Sequence, residues 1–263
     1  MTPGFARPRS ELPWLPYGKC NRVIINAHNF TPAETFSVNG KAPVGVWCPS
    51  KDTAGNGTTT LTDLVGSKPG TLVNFALNGS TSNWVADTGA GGVRALDFDG
   101  TNDHVTMASS VITSTTFSLS VWVKPTENRR QFIIDQYETS IPPKGLVVES
   151  GLTAWKPRGL AAGSDGFDVT GPIDITLNAW THIVFTSNGS RADLYVNGSL
   201  AASDTVGSSL VSTTAFNLGR YRAGNGIFFK GRMDDVRAFN AIQLDATDVA
   251  YLNNSGSGRG RVS

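Results

Sequence analysis

Charge is scarce in this chain. Only 16% of its 263 residues are Asp, Glu, Lys or Arg, against roughly 25% in an average soluble protein, and 22 basic side chains nearly cancel 21 acidic ones to leave a net +1. So weak a field does not hold a nucleic-acid backbone or an anionic membrane surface, and neither is expected as a partner. Long apolar runs are missing too: nothing approaches the roughly 20 residues of a membrane span, so membrane insertion is not expected. The segment Met1-Thr2-Pro3-Gly4-Phe5-Ala6-Arg7-Pro8 lacks the apolar centre of a secretory signal peptide, and no such leader is expected within this sequence.

Cysteine is nearly absent. Cys20 and Cys48 exclude a disulfide framework and any Cys-x-x-Cys metal site. A single bridge between them and two reduced, buried thiols both remain open, the second being favoured. His28, His104 and His182 show no metal-ligand spacing, and His182, beside Ile183, is expected to be a satisfied sheet residue. There is no nucleophile elbow and no glycine-rich phosphate cradle before a helix.

What the chain does have is glycine, 29 residues of it, and 39% hydrophobic content, enough to bury a core without staples. Apolar runs alternate with tight-turn dipeptides: Asn56-Gly57, Asn78-Gly79, Asn188-Gly189, Asn197-Gly198 and Asn225-Gly226 all accept the positive φ of hairpins. Phe117, Leu119, Val121 and Val123 alternate with Ser118, Ser120 and Trp122, which predicts a strand with one apolar face, ended by Pro125. Trp180–Thr186, Ala192–Val196 and Ser199–Ala202 follow at hairpin spacing and predict a three-stranded meander. One short helix is expected at Asp245–Leu252, where Asp245 caps the Asp248 N–H and Asp248 answers.

Three regions follow. Residues 1–43 carry Pro3, Pro8, Pro13 and Pro16 interleaved with Arg7, Arg9, Trp14 and Tyr17, the pattern of an extended polyproline-like arm. A short apolar run, Arg22–Asn26, suits a strand added to some sheet. Residues 44–254 form the all-β domain, and residues 255–263 form a flexible Gly/Ser/Arg tail.

The segment Ala95-Leu96-Asp97-Phe98-Asp99-Gly100-Thr101-Asn102-Asp103-His104-Val105, the strands at Phe117–Pro125, Trp180–Val184 and Leu194–Gly198, and the late run Leu218-Gly219-Arg220 with Phe229–Arg237 resemble, in order and spacing, the laminin G-like (concanavalin A-like) jelly rolls of bacterial surface proteins, carbohydrate-binding modules and phage proteins. His104 stands where that family usually has an aromatic. The resemblance implies a two-sheet antiparallel jelly-roll sandwich with one concave sheet, an extended N-terminal arm and one C-terminal helix. It also implies a structural Ca2+ held by Asp99, Gly100 and Asp103 together with Asp234 and Asp235, oxygen donors of the hard type that ion takes.

The same fold hosts glycoside hydrolases and polysaccharide lyases. The hydrolase strand Glu-x-Asp-x-x-Glu is absent, and Asp135 and Glu138 would fall on opposite strand faces. The lyase strings are echoed only by Arg9-Ser10-Glu11-Leu12 and Tyr221-Arg222-Ala223-Gly224, and none of Gln131, Gln136 or Gln243 stands two residues before a histidine. A non-enzymatic protein is therefore expected. Trp155 and the loop with Tyr221, Asn225 and Phe228 are the glycan-binding candidates, while Trp47, Trp122 and Trp180 are expected in the core.

Two roles fit this reading. In the first, a structural or adhesion component such as a phage-particle decoration protein carries the jelly roll outward and docks its arm, through Arg7, Arg9, Trp14 and Tyr17, on a protein lattice or on copies of itself. In the second, a free lectin-like module recognises surface glycans. Either would act on a virion or extracellular surface.

Overall fold

The computed structural model describes residues 36–52, 58–77, 84–87, 94–138, 144–150, 156–162, 167–172, 174–205, 212–221 and 226–254, with backbone only at 138, 144–148, 162 and 167. Their strands are β1 (Gly45–Trp47), β2 (Thr60–Leu61), β3 (Gly70–Val73), β4 (Trp84–Ala86), β5 (Arg94–Asp99), β6 (His104–Met107), β7 (Thr116–Pro125) and β8 (Phe132–Glu138), followed by β9 (Lys144–Ser150), β10 (Pro157–Ala162), β11 (Phe167–Thr170), β12 (Thr181–Asn188), β13 (Ala192–Val196), β14 (Ser199–Asp204), β15 (Asn217–Leu218) and β16 (Lys230–Asn240). The single helix among the described residues is α1 (Ala246–Asn253).

Every pairing is antiparallel, and two sheets result. The first runs β14-β13-β12-β7-β16-β5-β4 with β1 added to the far half of β16; the second runs β11-β10-β9-β8-β15-β6-β3-β2. They pack face to face as a jelly-roll sandwich, as the sequence pattern implies.

The apolar face expected at Phe117, Leu119, Val121 and Val123 is buried between the sheets, beside Ile183, Phe185 and Leu194 from the first sheet and Leu72, Val105, Ile134 and Leu218 from the second. Trp47 stacks on Phe216 with centroids 5.5 Å apart. Gly159 lets β10 approach closely, because a Cβ there would stand 2.3 Å from the Phe185 ring. The meander forms as expected: Asn197 (φ 50°) and Gly198 (φ 85°) make the β13–β14 turn, and Gly189 (φ 89°) sits in the β12–β13 turn. Asn56-Gly57, Asn78-Gly79 and Asn225 lie outside the described residues.

The outer face of the first sheet is covered. Val38, Val184, Tyr195, Phe239, Leu244, Val249 and Leu252 form a second, smaller apolar cluster there, and α1 closes it. Asp245 accepts from the Thr247 and Asp248 N–H groups while the Asp248 carboxylate accepts from the Asp245 N–H, the expected capping box. Lys41 pairs with Asp245 and Asp248, Asn39 donates to Asp248 at 2.8 Å, and the Arg237 guanidinium lies over Phe36. Residues 36–43, assigned to the arm from sequence, therefore pack on the sandwich.

One expectation for an aromatic residue and one for a histidine are corrected. Trp122 is buried as expected, on the outer side of the first sheet, where it stacks on His182 at 5.0 Å. Trp180 is half-buried and donates from Nε1 to Asp87 at 2.8 Å, so it lies at the margin of the core. His182 bonds Ser120 through Nε2 at 2.8 Å, yet its Nδ1 has no partner among the described residues. Burial pushes its pKa down to about 3, so the ring is neutral.

Candidate functional site

The outer face of the second sheet carries no helix among the described residues. Its composition follows from the two-residue alternation of strands: Val105, Ile134 and Leu218 point into the core, so Thr106, Asp135 and Asn217, paired side by side across β6, β15 and β8, lie on the opposite side of the sheet, where Asp135 and Asn217 are nonetheless fully buried. A bulge between Phe132 and Ile134 re-phases β8 and turns Phe132 outward as well, opposite Glu149 on β9, which in turn stands opposite Arg158 on β10.

Tyr221, just beyond β15, stacks on Phe132 with ring centroids 4.4 Å apart, and the Tyr137 ring follows at 6.0 Å. Phe132 is fully buried beneath Tyr221, and the Arg130 guanidinium lies over it at 4.9 Å. The two tyrosines are half-exposed. Burial, then the neighbouring charge of Asp135, pushes the Tyr137 phenol up; burial, then Tyr137 and Asp135, does the same for Tyr221. Both hydroxyls therefore remain protonated donors.

An ionic row continues across the strands. Arg130 donates to Glu149 through Nε at 2.9 Å and Nη2 at 3.3 Å, and Arg158 donates to Glu149 through Nη1 at 2.8 Å. Arg158 also grips Asp168 on β11 through Nε at 2.7 Å and Nη2 at 2.5 Å. On the other side of the aromatic cluster Arg220 donates to Asn217 at 3.2 Å, Phe228 pairs with Arg220 through a backbone bridge, and the Phe228 ring lies 6.3 Å from His104. The face thus offers aromatic rings flanked by fixed hydrogen-bonding groups, the combination that holds a polyhydroxylated ring: apolar faces on the aromatics, hydroxyls on the polar rim.

Of the glycan-binding residues expected from sequence, Tyr221 and Phe228 lie on this face, while Trp155 and Asn225 lie outside the described residues. Sequence reasoning missed Tyr137, Phe132, Arg130, Glu149 and Arg158. The alternation from Gln131 to Tyr137 carries their signal, but the bulge shifts its phase, and no local pattern announces a bulge there.

The calcium set is not brought together. Lys230 is the residue opposite Asp99, which leaves Asp234 four residues further along β16, roughly 13 Å at about 3.3 Å per residue. Asp99 accepts from the Thr101 and Asn102 N–H groups at 2.7 and 3.3 Å, Asp103 accepts from the Asp99 N–H at 2.9 Å, and the Arg129 guanidinium donates to the Gly100 carbonyl at 2.8 Å. Asp234 takes Ser50 Oγ at 2.7 Å and Cys48 Sγ at 3.5 Å, while Asp235 pairs with Arg237 at 2.8 Å. Among the described residues no group of three or more His, Cys, Asp or Glu side chains is arranged to hold a metal ion. Five expected ligands therefore serve as turn caps and internal partners and do not fit a calcium cage. Cys48 is a buried free thiol; Cys20 lies outside the described residues, as do Arg7, Arg9, Trp14, Tyr17 and Arg22–Asn26.

Residues 99–250 match the family described as the concanavalin A-like lectin/glucanases superfamily, and the chain belongs to it. No curated protein matches the sequence. Among solved structures, the chain is similar to domain 4 of AbnA, an extracellular arabinanase of Geobacillus stearothermophilus in complex with arabinotriose, at TM-score 0.59 and 17% identity, covering 80% of this chain and 97% of that one. It is similar to the binding domain of botulinum neurotoxin serotype D at TM-score 0.59 and 14% identity, covering 82% of this chain and 52% of that one. A Trypanosoma rangeli sialidase matches at TM-score 0.56 and 14% identity over 82% of this chain, which spans 33% of that enzyme. At these identities the likeness concerns the fold.

Proposed function

We propose that this domain is a carbohydrate-binding module, without catalysis of its own, that takes its ligand on the outer face of the second sheet, where Tyr137 and Tyr221 reach the surface. The observation carrying this reading is the half-exposed Tyr221, stacked on the buried Phe132, with the half-exposed Tyr137 ring 6.0 Å away and fixed polar groups beside them. The opposite sheet, by contrast, spends its outer face on α1 and residues 36–44. The complex of domain 4 of the arabinanase with arabinotriose supports a sugar as ligand. The absence of catalysis is supported by Glu149, which is fully buried between two guanidiniums and so poorly suited to general acid or base work. A glycan panel probed with the whole chain and with Tyr221→Ala tests it: binding lost in the folded variant supports the module, and unchanged binding by Tyr221→Ala moves the site elsewhere.

The finer reading, an adhesion or decoration component on a virion or extracellular surface, rests on the proline-rich and aromatic composition of residues 1–35. It gains support from where the chain enters the sandwich. Phe36 and Val38 lie on the outer face of the first sheet, so an anchor there and a glycan on the second sheet would occupy opposite sides of the domain.

A further inference from the structure

The outer face of the second sheet carries nearly balanced charge. On or beside its strands Arg130, Lys156, Arg158 and Arg220 stand against Asp135, Glu149 and Asp168, of which Asp135 and Glu149 are fully buried, residues 222–225 lying outside the described set. The central charges are already committed to one another: Arg158 uses Nε, Nη1 and Nη2 on Asp168 and Glu149, and Arg130 uses Nε and Nη2 on Glu149. Arg130, whose side chain is about a third exposed, keeps one nitrogen, Nη1, without a hydrogen-bond partner among the described residues. We propose that this face selects an uncharged oligosaccharide, one ring seated on Tyr221 and the chain running across β8 and β9 toward β10. This rests on the carbohydrate-binding reading above and adds the class of sugar.

The physical reason is the cost of an alternative. A ligand carboxylate drawn to Arg130 would arrive beside the buried Glu149 carboxylate and would compete for a guanidinium that Glu149 needs, leaving a buried charge less well compensated. A hydroxyl makes no such demand. It accepts from Nη1 or from a tyrosine O–H and leaves the Arg130–Glu149–Arg158 row intact, so the row acts as a donor set held in place before the ligand arrives. From Tyr221 to Arg158 the face spans three strand spacings, about 14 Å at about 4.8 Å each, which is room for a short oligosaccharide.

The test is titration calorimetry of the full chain with arabinotriose, xylotriose and cellotriose as neutral probes and with tri-galacturonate and 3′-sialyllactose as acidic ones, each at low and high salt. The expected result is binding of at least one neutral probe with an affinity that salt leaves unchanged within about twofold, since no counter-ion is displaced. Arg130→Gln, which loses the Glu149 pair and is therefore titrated well below its own lowered melting temperature, where it is fully folded, should weaken it by about tenfold or more, the share of one charged hydrogen bond. Binding of only the acidic probes, with affinity falling as salt rises, overturns the uncharged-ligand inference while leaving the carbohydrate-binding reading in place. Loss of no affinity in Arg130→Gln overturns the role of the ionic row. Silence from all five probes and from the wider glycan panel removes both readings together.

Discussion

Tyr221 and Phe132 lie ring on ring, 4.4 Å between centroids, with Phe132 fully buried and Tyr221 half-exposed. Their exposures assign them different work, and mutation separates it. Tyr221→Ala should abolish glycan binding while changing stability little. Phe132→Ala removes a buried ring and should cost about 3–5 kcal/mol, read as a lowered denaturation midpoint with an unchanged slope. Equal destabilisation by the two substitutions would make Tyr221 a structural residue.

The covered face of the first sheet holds two groups that titrate against each other. Burial, then the charge of Asp235, raises the Asp234 pKa to about 7, whereas burial lowers that of His182 to about 3. Between the unfolded carboxylate value near 4 and pH 7 the folded state holds the Asp234 proton more tightly than the unfolded chain does, so Asp234 withdraws stability as the pH rises through that window. His182 works in the opposite sense: the unfolded ring takes a proton below about 6.5 and the folded one does not, so its share is lost as the pH falls toward 3. Stability should therefore be nearly flat between pH 4 and 6.5 and decline from there to just above 7. Asp234→Asn should unmask the His182 slope, with stability falling on acidification below 6.5. Denaturant midpoints measured across this range check it, and a variant curve parallel to the parent's would count against the assignment.

Where the folded domain begins is open to direct measurement. A chain starting at Phe36 keeps the Val38 contact with the α1 cluster and the Lys41 pairs with Asp245 and Asp248; a chain starting at Val44 loses both. The first should melt with the full-length protein and the second several degrees below it. Light scattering on the same samples tests the arm. An oligomer at full length that becomes monomeric from Phe36 onward would establish docking by residues 1–35, and monomers throughout would remove it.

Calcium removal should leave the protein unchanged. With Asp99, Asp103, Asp234 and Asp235 already engaged by N–H, hydroxyl, thiol and guanidinium donors, chelation is expected to leave the melting temperature unshifted. Asp99→Ala should cost about 1 kcal/mol, with or without the ion, because it frees two turn N–H groups. A melting temperature that rises with added calcium and loses that rise in Asp99→Ala would restore the site.

The sequence by itself determined the local elements. Alternation put Phe117, Leu119, Val121 and Val123 on one face, Asn197-Gly198 specified a hairpin because its φ values suit that pair, and Asp245 with Asp248 specified where α1 starts. The motif residues from Ala95 to Val105 and the later strands, in their order and spacing, carried the resemblance to the sandwich family. Only the tertiary structure decided which sheet face α1 covers. That depends on where α1 and residues 36–44 come to rest, and they reach the first sheet through partners some two hundred residues apart, as Asn39 and Asp248 are. It also decided that Tyr137, Phe132 and Tyr221 form one cluster, through a bulge that no local pattern encodes. And it separated the Asp99 turn from Asp234, which similar spacing in a family could not do, because register between β5 and β16 is fixed by the pairing of whole strands.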